Sequence, residues 1–268
     1  LSILSLLKVL MRIITVMPLE KGLPTSRLSY FTKEEVLPGA VVAVPVKNRE
    51  IPALVTESRN AAELKLETRS LDFALKKMVR VIQSSFFKPE FLIAASTTAK
   101  FLAAPLGQII RSFSPKIILE TPINQRKKST PNNPKEKTAS KLKNEALVIQ
   151  DKDNERLAFY KSLIRETFAK KSSVLFCLPT IADIERTVES LEKGIGNYTT
   201  ILHGRLTSKE LLARWQKAVE SEHPVLLVVT PTFMSVPRDD IAVIIVDREN
   251  SPHYKDRVKP FADARIFA

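Results

Sequence analysis

Glycine and cysteine are the two scarcities from which the reading of this chain starts. Six glycines and one cysteine occur in 268 residues. A single thiol builds neither a disulfide framework nor a cysteine-based zinc site, so a reducing, cytoplasmic setting is expected. Cys177 lies inside the apolar run "VLFCL" and reads as a core residue. Histidine is scarce too, at three residues. Neither His203 nor His223 stands among Asp, Glu or Cys at ligand spacing, so no metal site is expected. Long uncharged apolar runs are also missing. The opening "LSILSLLKVLMRIITVMPL" is interrupted by Lys8 and Arg12. It never reaches the roughly 20 residues that a membrane helix needs, and no small-residue cleavage site follows it. No membrane partner is expected. Residues 1–10 read as an upstream extension ahead of Met11, and no solenoid-period repeat occurs.

What the chain has in excess is positive charge, with a formal net charge of +13. Residues 1–120 carry 17 basic and 10 acidic side chains, and residues 121–145 carry 7 and 2. The remainder is nearly balanced at 18 and 17. A basic front half points to a polyanion partner, nucleic acid before an anionic membrane.

Organisation follows from periodicity. Between Met11 and Glu57, "RIITVMPL", "GAVVAVPV" and "EIPALVTES" read as strands, with a turn at Pro38-Gly39. Residues 61–81 are ambiguous. Helix is expected from Pro89 to Phe113, broken into two pieces at Pro105 and Gly107. Residues 121–145 hold no aromatic residue and are rich in Pro, Asn, Lys and Ser, so they read as a basic flexible linker. From 146 onward, apolar runs alternate with helical patterns, starting with "ALVI" (146–149) and "VLFCL" (174–178) and ending in "AVIIVD" (242–247). That alternation implies a parallel sheet. Trp215 falls on the apolar face of its helix and is expected in the core. The fold class is therefore α/β overall: a small β-barrel-like domain with helices over 11–120, the linker, then one parallel-sheet α/β lobe over 146–268.

The order of several segments resembles the PriA (primosomal protein N′) replication-restart helicase family. In the back half the likeness rests on His203-Gly204, Arg214-Trp215, "TPTFMSVP" (230–237), "IAVIIVDREN" (241–250), Tyr254-Lys255 and "ADAR" (262–265). In the front half it rests on "PTSRLSYFT", "VLPGAVVAVPVKNRE" and "AAPLGQIIRSFSPK". The resemblance implies an N-terminal domain that accepts the 3′ end of a strand at a fork, followed by a first RecA-like helicase lobe. It departs from the family in its 25-residue linker, too short for the winged-helix domain the family places there. The family's zinc region and second RecA-like lobe would follow residue 268.

Carried over by position, the 3′-end pocket would involve Leu28, Ser29, Tyr30, Gly39 and the Val46–Lys47 turn. Tyr30 would either stack on a base or serve as a barrel core aromatic. Lys47, Arg49, Lys21 and Arg27 would contact phosphates, or else be solvated surface charges.

In the family, the strand before Gln150 leads into a glycine-rich phosphate loop. Here that turn reads "QDKDNER". Aligned through Tyr160, Arg156 replaces the loop lysine, Leu157 replaces the magnesium-ligating Ser/Thr, and Asp153 and Glu155 replace glycines. Glycines let backbone N–H groups close on phosphates, whereas carboxylates repel them. One like-charge contact near 4 Å costs roughly 4 kcal/mol at an effective dielectric of about 20. Micromolar binding is worth only about 8 kcal/mol in total. The family's second nucleotide motif, Asp-Glu-Glu-His, becomes Asp247-Arg248-Glu249-Asn250, and Asp247 is expected to cap its strand or pair with a neighbouring base. Neither ATP, magnesium nor zinc is therefore expected as a cofactor. The expected function is a PriA-like protein binding forked or 3′-ended DNA in replication restart, with primosome proteins as partners and without ATPase activity of its own. The alternatives are an ATP-dependent 3′–5′ helicase whose chain is incomplete here, and a non-catalytic docking scaffold.

Overall fold

A computed structural model describes residues 11–23, 27–60, 75–123, 145–192 and 194–268. The expected upstream extension, and most of the expected linker, lie outside the described residues.

Four strands, β1 (Arg12–Pro18), β2 (Leu28–Thr32), β3 (Val41–Val46) and β4 (Arg49–Asn60), form the body of the first sheet. Two short strands, β5 (Lys76–Lys77) and β6 (Arg80–Gln83), complete it in the order β5-β2-β1-β4-β3-β6. The two outermost strands belong to one eight-residue run. Between them Met78 N–H donates to Phe31 O (2.9 Å) and Val79 N–H to Ala43 O (3.0 Å). That run ties β2 to β3, so the sheet curls on itself. A register shift at Thr15/Val16 in the β1–β4 ladder lets the twelve-residue β4 bend with it. Ile14, Val16, Tyr30, Val42, Val44 and Ile51 fill the interior. Val41, Ala43 and Leu54 point to the other face and join a second apolar cluster. Both faces of β3 are thus covered, which is why it reads as a continuous apolar run rather than an alternation.

Helices α1 (Pro89–Phe101), α2 (Leu106–Ser112) and α3 (Lys116–Glu120) follow. The break falls at Leu102–Pro105. Gly107 is not a breaker, contrary to the sequence expectation, because it lies buried inside α2. A Cβ there would come 2.2 Å from Pro18 O, so glycine lets the helix backbone rest directly on the end of β1. The helix α3 was not anticipated; it starts after Pro115, whose ring suits the residue ahead of a first turn.

The second sheet contains β7 (Ser173–Cys177), β8 (Thr199–Leu202), β9 (Leu226–Val229) and β10 (Ile241–Val246) in the order β10-β7-β9-β8, all parallel. The connecting helices are α4 (Asp153–Ala169), α5 (Ile181–Leu191) and α6 (Ser208–Glu220). Thr180 caps α5 through Asp183 N–H, and Thr207 with Glu210 forms a capping box on α6. Every residue of β7 and β9 is buried, and Cys177 is fully so. One expected strand is absent. Residues 146–149 take no regular secondary structure and pair with no described strand, and Leu147 and Val148 are 67% and 87% exposed. Only Ile149 packs onto the lobe. A four-residue apolar run cannot hold strand geometry without a ladder partner.

Aromatic residues join the two halves. Trp215 of α6 is fully buried and stacks on Phe86 (centroids 6.3 Å apart, planes at 13°). Phe267, in the short closing helix α7 (Ala264–Phe267), lies 4.2 Å from Phe113 and 5.1 Å from Phe91. Two ion pairs cross the same boundary, Lys88–Asp239 at 2.6 Å and Lys21–Asp256. One apolar cluster therefore runs from Leu19 to Phe267. No described helix is long and apolar enough to cross a membrane.

Candidate nucleic-acid interface and the charge cluster at Asp247

The residues expected at the 3′-end pocket belong to β2, the turn into β3 and the β3–β4 turn. Alternation along β2 buries Tyr30, leaves Ser29 exposed and half-buries Leu28. Ser29 faces Thr15 across the β1–β2 ladder. The Tyr30 hydroxyl donates to Pro45 O (3.0 Å), which fastens β2 to the end of β3 just ahead of the β3–β4 turn that carries Lys47. Tyr30 is only 4% exposed and burial raises its pKa. The base-stacking role is therefore corrected: the ring is a core residue that positions the turn. Lys47 is exposed at φ 53, a left-handed conformation that costs a non-glycine residue about 1 kcal/mol. Strain of this kind collects at functional turns. Gly39, at φ 92, donates its N–H to Val55 O (2.8 Å) and turns the chain into β3. Arg27 and Arg49 are exposed. Lys21 is not a free phosphate contact, since its ammonium is paired with Asp256.

Sequence reasoning missed three basic residues on the closing run. Lys76 and Lys77 pair with Tyr30 and Phe31 on the open side of β2, and Arg80 faces Ala43 of β3. All three are exposed and have no ion-pair partner among the described residues. The signal was present in "LKKMVRVIQ", a basic strand in a segment that had read as ambiguous.

The second cluster forms where the starts of α4 and α5 meet the end of β10. Asp247 is 2% exposed. Its Oδ1 accepts from Arg156 Nε (2.7 Å) and from the Tyr160 hydroxyl (3.1 Å). Arg156 also donates to Asp153 Oδ1 (2.9 Å) and to Asp151 O (3.3 Å). Burial works against the Arg156 charge, but Asp247 and Asp153 outweigh it and raise the pKa. Tyr160 is pushed well above the usual phenol range, by burial first and then by the Asp247 carboxylate. Arg248, at φ 56, reaches Asp183 Oδ1 (3.2 Å) and Asp153 Oδ2 (3.6 Å). The Tyr254 hydroxyl donates to Cys177 O (2.9 Å) and to Asp247 O, joining β7 to the end of β10. Leu157 packs onto the apolar cluster beneath, and Glu155, Glu249 and Asn250 are exposed. The Glu249 carbonyl accepts from Arg265 (2.9 Å). Asp247 is thus the partner of a neighbouring base, one of the two expected roles.

The histidines lie elsewhere. His203 Nδ1 accepts from Arg205 N–H (3.3 Å), and burial, then Arg214, lowers its pKa. His223 meets Tyr198 edge-on. Among the described residues no group of three or more His, Cys, Asp or Glu could hold a metal ion.

Comparison with known proteins bears on the curled sheet. Residues 22–115, from the β1–β2 connection to the end of the helical pair, match the family model of the PriA 3′ DNA-binding domain. The chain is similar to PriA. Along 242 residues it is 25% identical to the replication restart protein PriA of Helicobacter pylori strain J99, covering 90% of this chain and 38% of that relative. The PriA of strain 26695 is 24% identical over 250 residues, with the same shares covered. The chain spans about two-fifths of the length of these PriA relatives. At 90% coverage these alignments take in most of both the curled sheet and the parallel-sheet lobe.

Proposed function

We propose that this PriA-like chain binds 3′-ended or forked DNA in replication restart through the basic side of its curled sheet. Its RecA-like lobe, on this reading, does not hydrolyse ATP. The observation that carries the DNA half is the match to the 3′ DNA-binding domain over residues in which Ser29, Lys47, Arg49, Lys76 and Arg80 are all exposed. Lysine and arginine there position a phosphate backbone, and the Ser29 hydroxyl offers a hydrogen bond to a terminal hydroxyl or base edge.

The observation that carries the second half is the Arg156–Asp247 pair. A magnesium nucleotide does not fit this residue set. Leu157 offers no oxygen to a cation, Arg156 is already spent on two carboxylates, and Asp153 and Glu155 would face phosphates across the start of α4. Displacing the guanidinium would leave a carboxylate of 2% exposure without its charged partner, held by the Tyr160 hydroxyl alone, a loss of about 3–5 kcal/mol. Replication-restart proteins are the expected partners.

Fluorescence anisotropy tests the DNA half. Forks whose arm ends in a 3′-hydroxyl or a 3′-phosphate are compared at two salt concentrations. Tighter binding to the hydroxyl end is expected, and equal, salt-sensitive binding to every DNA would reduce the role to a basic surface. An ATPase assay with and without forked DNA tests the lobe. DNA-stimulated hydrolysis would favour the ATP-dependent helicase reading instead.

A further inference from the structure

The charges around Asp247 come from three separate element ends. Asp153 and Arg156 open α4, Asp183 opens α5, and Asp247 and Arg248 close β10. Each arginine bridges two carboxylates: Arg156 holds Asp247 and Asp153, and Arg248 holds Asp183 and Asp153. Asp153 is the shared corner. Arg186, mostly exposed, also reaches Asp183 Oδ1 (3.9 Å), so three carboxylates meet three guanidinium groups, and Asp153 and Asp183 further face the positive ends of two helix dipoles because both lie in first turns. The set is balanced without any outside ion. Arg248 takes a backbone conformation that residues with side chains avoid, and its guanidinium lies between the two carboxylates it bridges. Beneath it, the Tyr254 hydroxyl joins the backbones of β7 and β10.

We propose that Arg156 and Arg248 act as tethered counterions that hold the starts of α4 and α5 against the end of β10, so that the lobe keeps one closed arrangement with no nucleotide bound. The inference rests on the reading that this face does not take a nucleotide, and it deepens that reading by naming what fills its place. The lobe is a constitutively closed, rigid support for the DNA-binding sheet packed against it, not a switch.

Hydrogen exchange of the full chain tests this, followed by mass spectrometry with and without ATP and magnesium. The wild-type protein is expected to exchange identically in both conditions. Arg156→Ala is expected to speed exchange across the first turns of α4 at least about tenfold. Arg248→Ala, whose side chain is 36% exposed, gives a smaller acceleration at the starts of α4 and α5. Amides of β3 and β4 stay as in the wild type. If circular dichroism shows that Arg156→Ala fails to fold, Asp183→Asn with Arg248→Ala supplies the same reading at the start of α5. Wild-type exchange rates at these turns in the variants would overturn the tethered-counterion role. Slower exchange of the wild type on adding ATP and magnesium would instead overturn the nucleotide-free reading, whatever the variants do.

Discussion

Removing the Phe267 side chain tests whether the two halves share one core. Phe267 is 6% exposed, with its ring 4.2 Å from Phe113 and 5.1 Å from Phe91. Phenylalanine buries roughly 150–250 Å², and at about 25 cal/mol per Å² that is about 4–6 kcal/mol of transfer free energy. The unfolded chain already hides part of this surface, so the expected cost of Phe267→Ala is about 3–5 kcal/mol. For a chain of this size that lowers Tm by on the order of 10 °C. The single tryptophan makes the assay specific: Trp215 is fully buried against Phe86 at the boundary between the halves, so its fluorescence reports on that boundary. Urea unfolding followed by tryptophan fluorescence and by far-ultraviolet circular dichroism should give coincident transitions, shifted together in the variant. A loss below about 1 kcal/mol, or two separate transitions in the wild type, would refute the shared core.

Three further outcomes are expected. Lys47→Gly removes one candidate phosphate contact and relieves the φ 53 strain, so the protein gains about 1 kcal/mol of stability. Its log–log salt slope on single-stranded DNA should fall by about 0.7, and an unchanged slope would take Lys47 out of the interface. Gly107→Ala brings a Cβ to 2.2 Å from the Pro18 carbonyl. The strain costs about 1–3 kcal/mol against about 1 kcal/mol of helix propensity gained. A thermal melt should therefore fall, and a rise would show that α2 does not rest on β1. Burial pushes the Cys177 thiol from 9.0 up to about 12. The folded state then holds the proton more tightly than the unfolded chain. That contribution to stability is complete below pH 9 and is lost as pH rises toward 12. Cys177→Ala should flatten this alkaline limb of the stability profile. A limb that persists unchanged would assign it to other groups.

Much of the architecture was legible because its signals are local. Alternation in "RIITVMPL", the buried runs "VLFCL" and "PVLLVVT", and the prolines at 89 and 105 each depend on near neighbours along the chain. The misreadings share one cause. "ALVI" has the composition of a strand, but a strand exists only beside a partner, and the run cannot encode whether one is present. Gly107 looks like a breaker until the carbonyl of Pro18 is seen beneath it. Tyr30 and Ser29 are adjacent, so one must point inward and the other outward, yet period two does not say which.

The candidate sites divide in the same way. The sequence by itself determined that the phosphate-loop turn carries Asp153, Glu155, Arg156 and Leu157, because side-chain chemistry is a property of residue type. It also placed the basic surplus in the first half. Only the tertiary structure decided where those charges are spent. Arg156 meets Asp247 across 91 positions, Arg248 meets Asp183 across 65, and Lys21 meets Asp256 across 235. An ion pair falls off over a few ångströms, and which distant segments come that close is set by how the sheets pack, not by any run of residues.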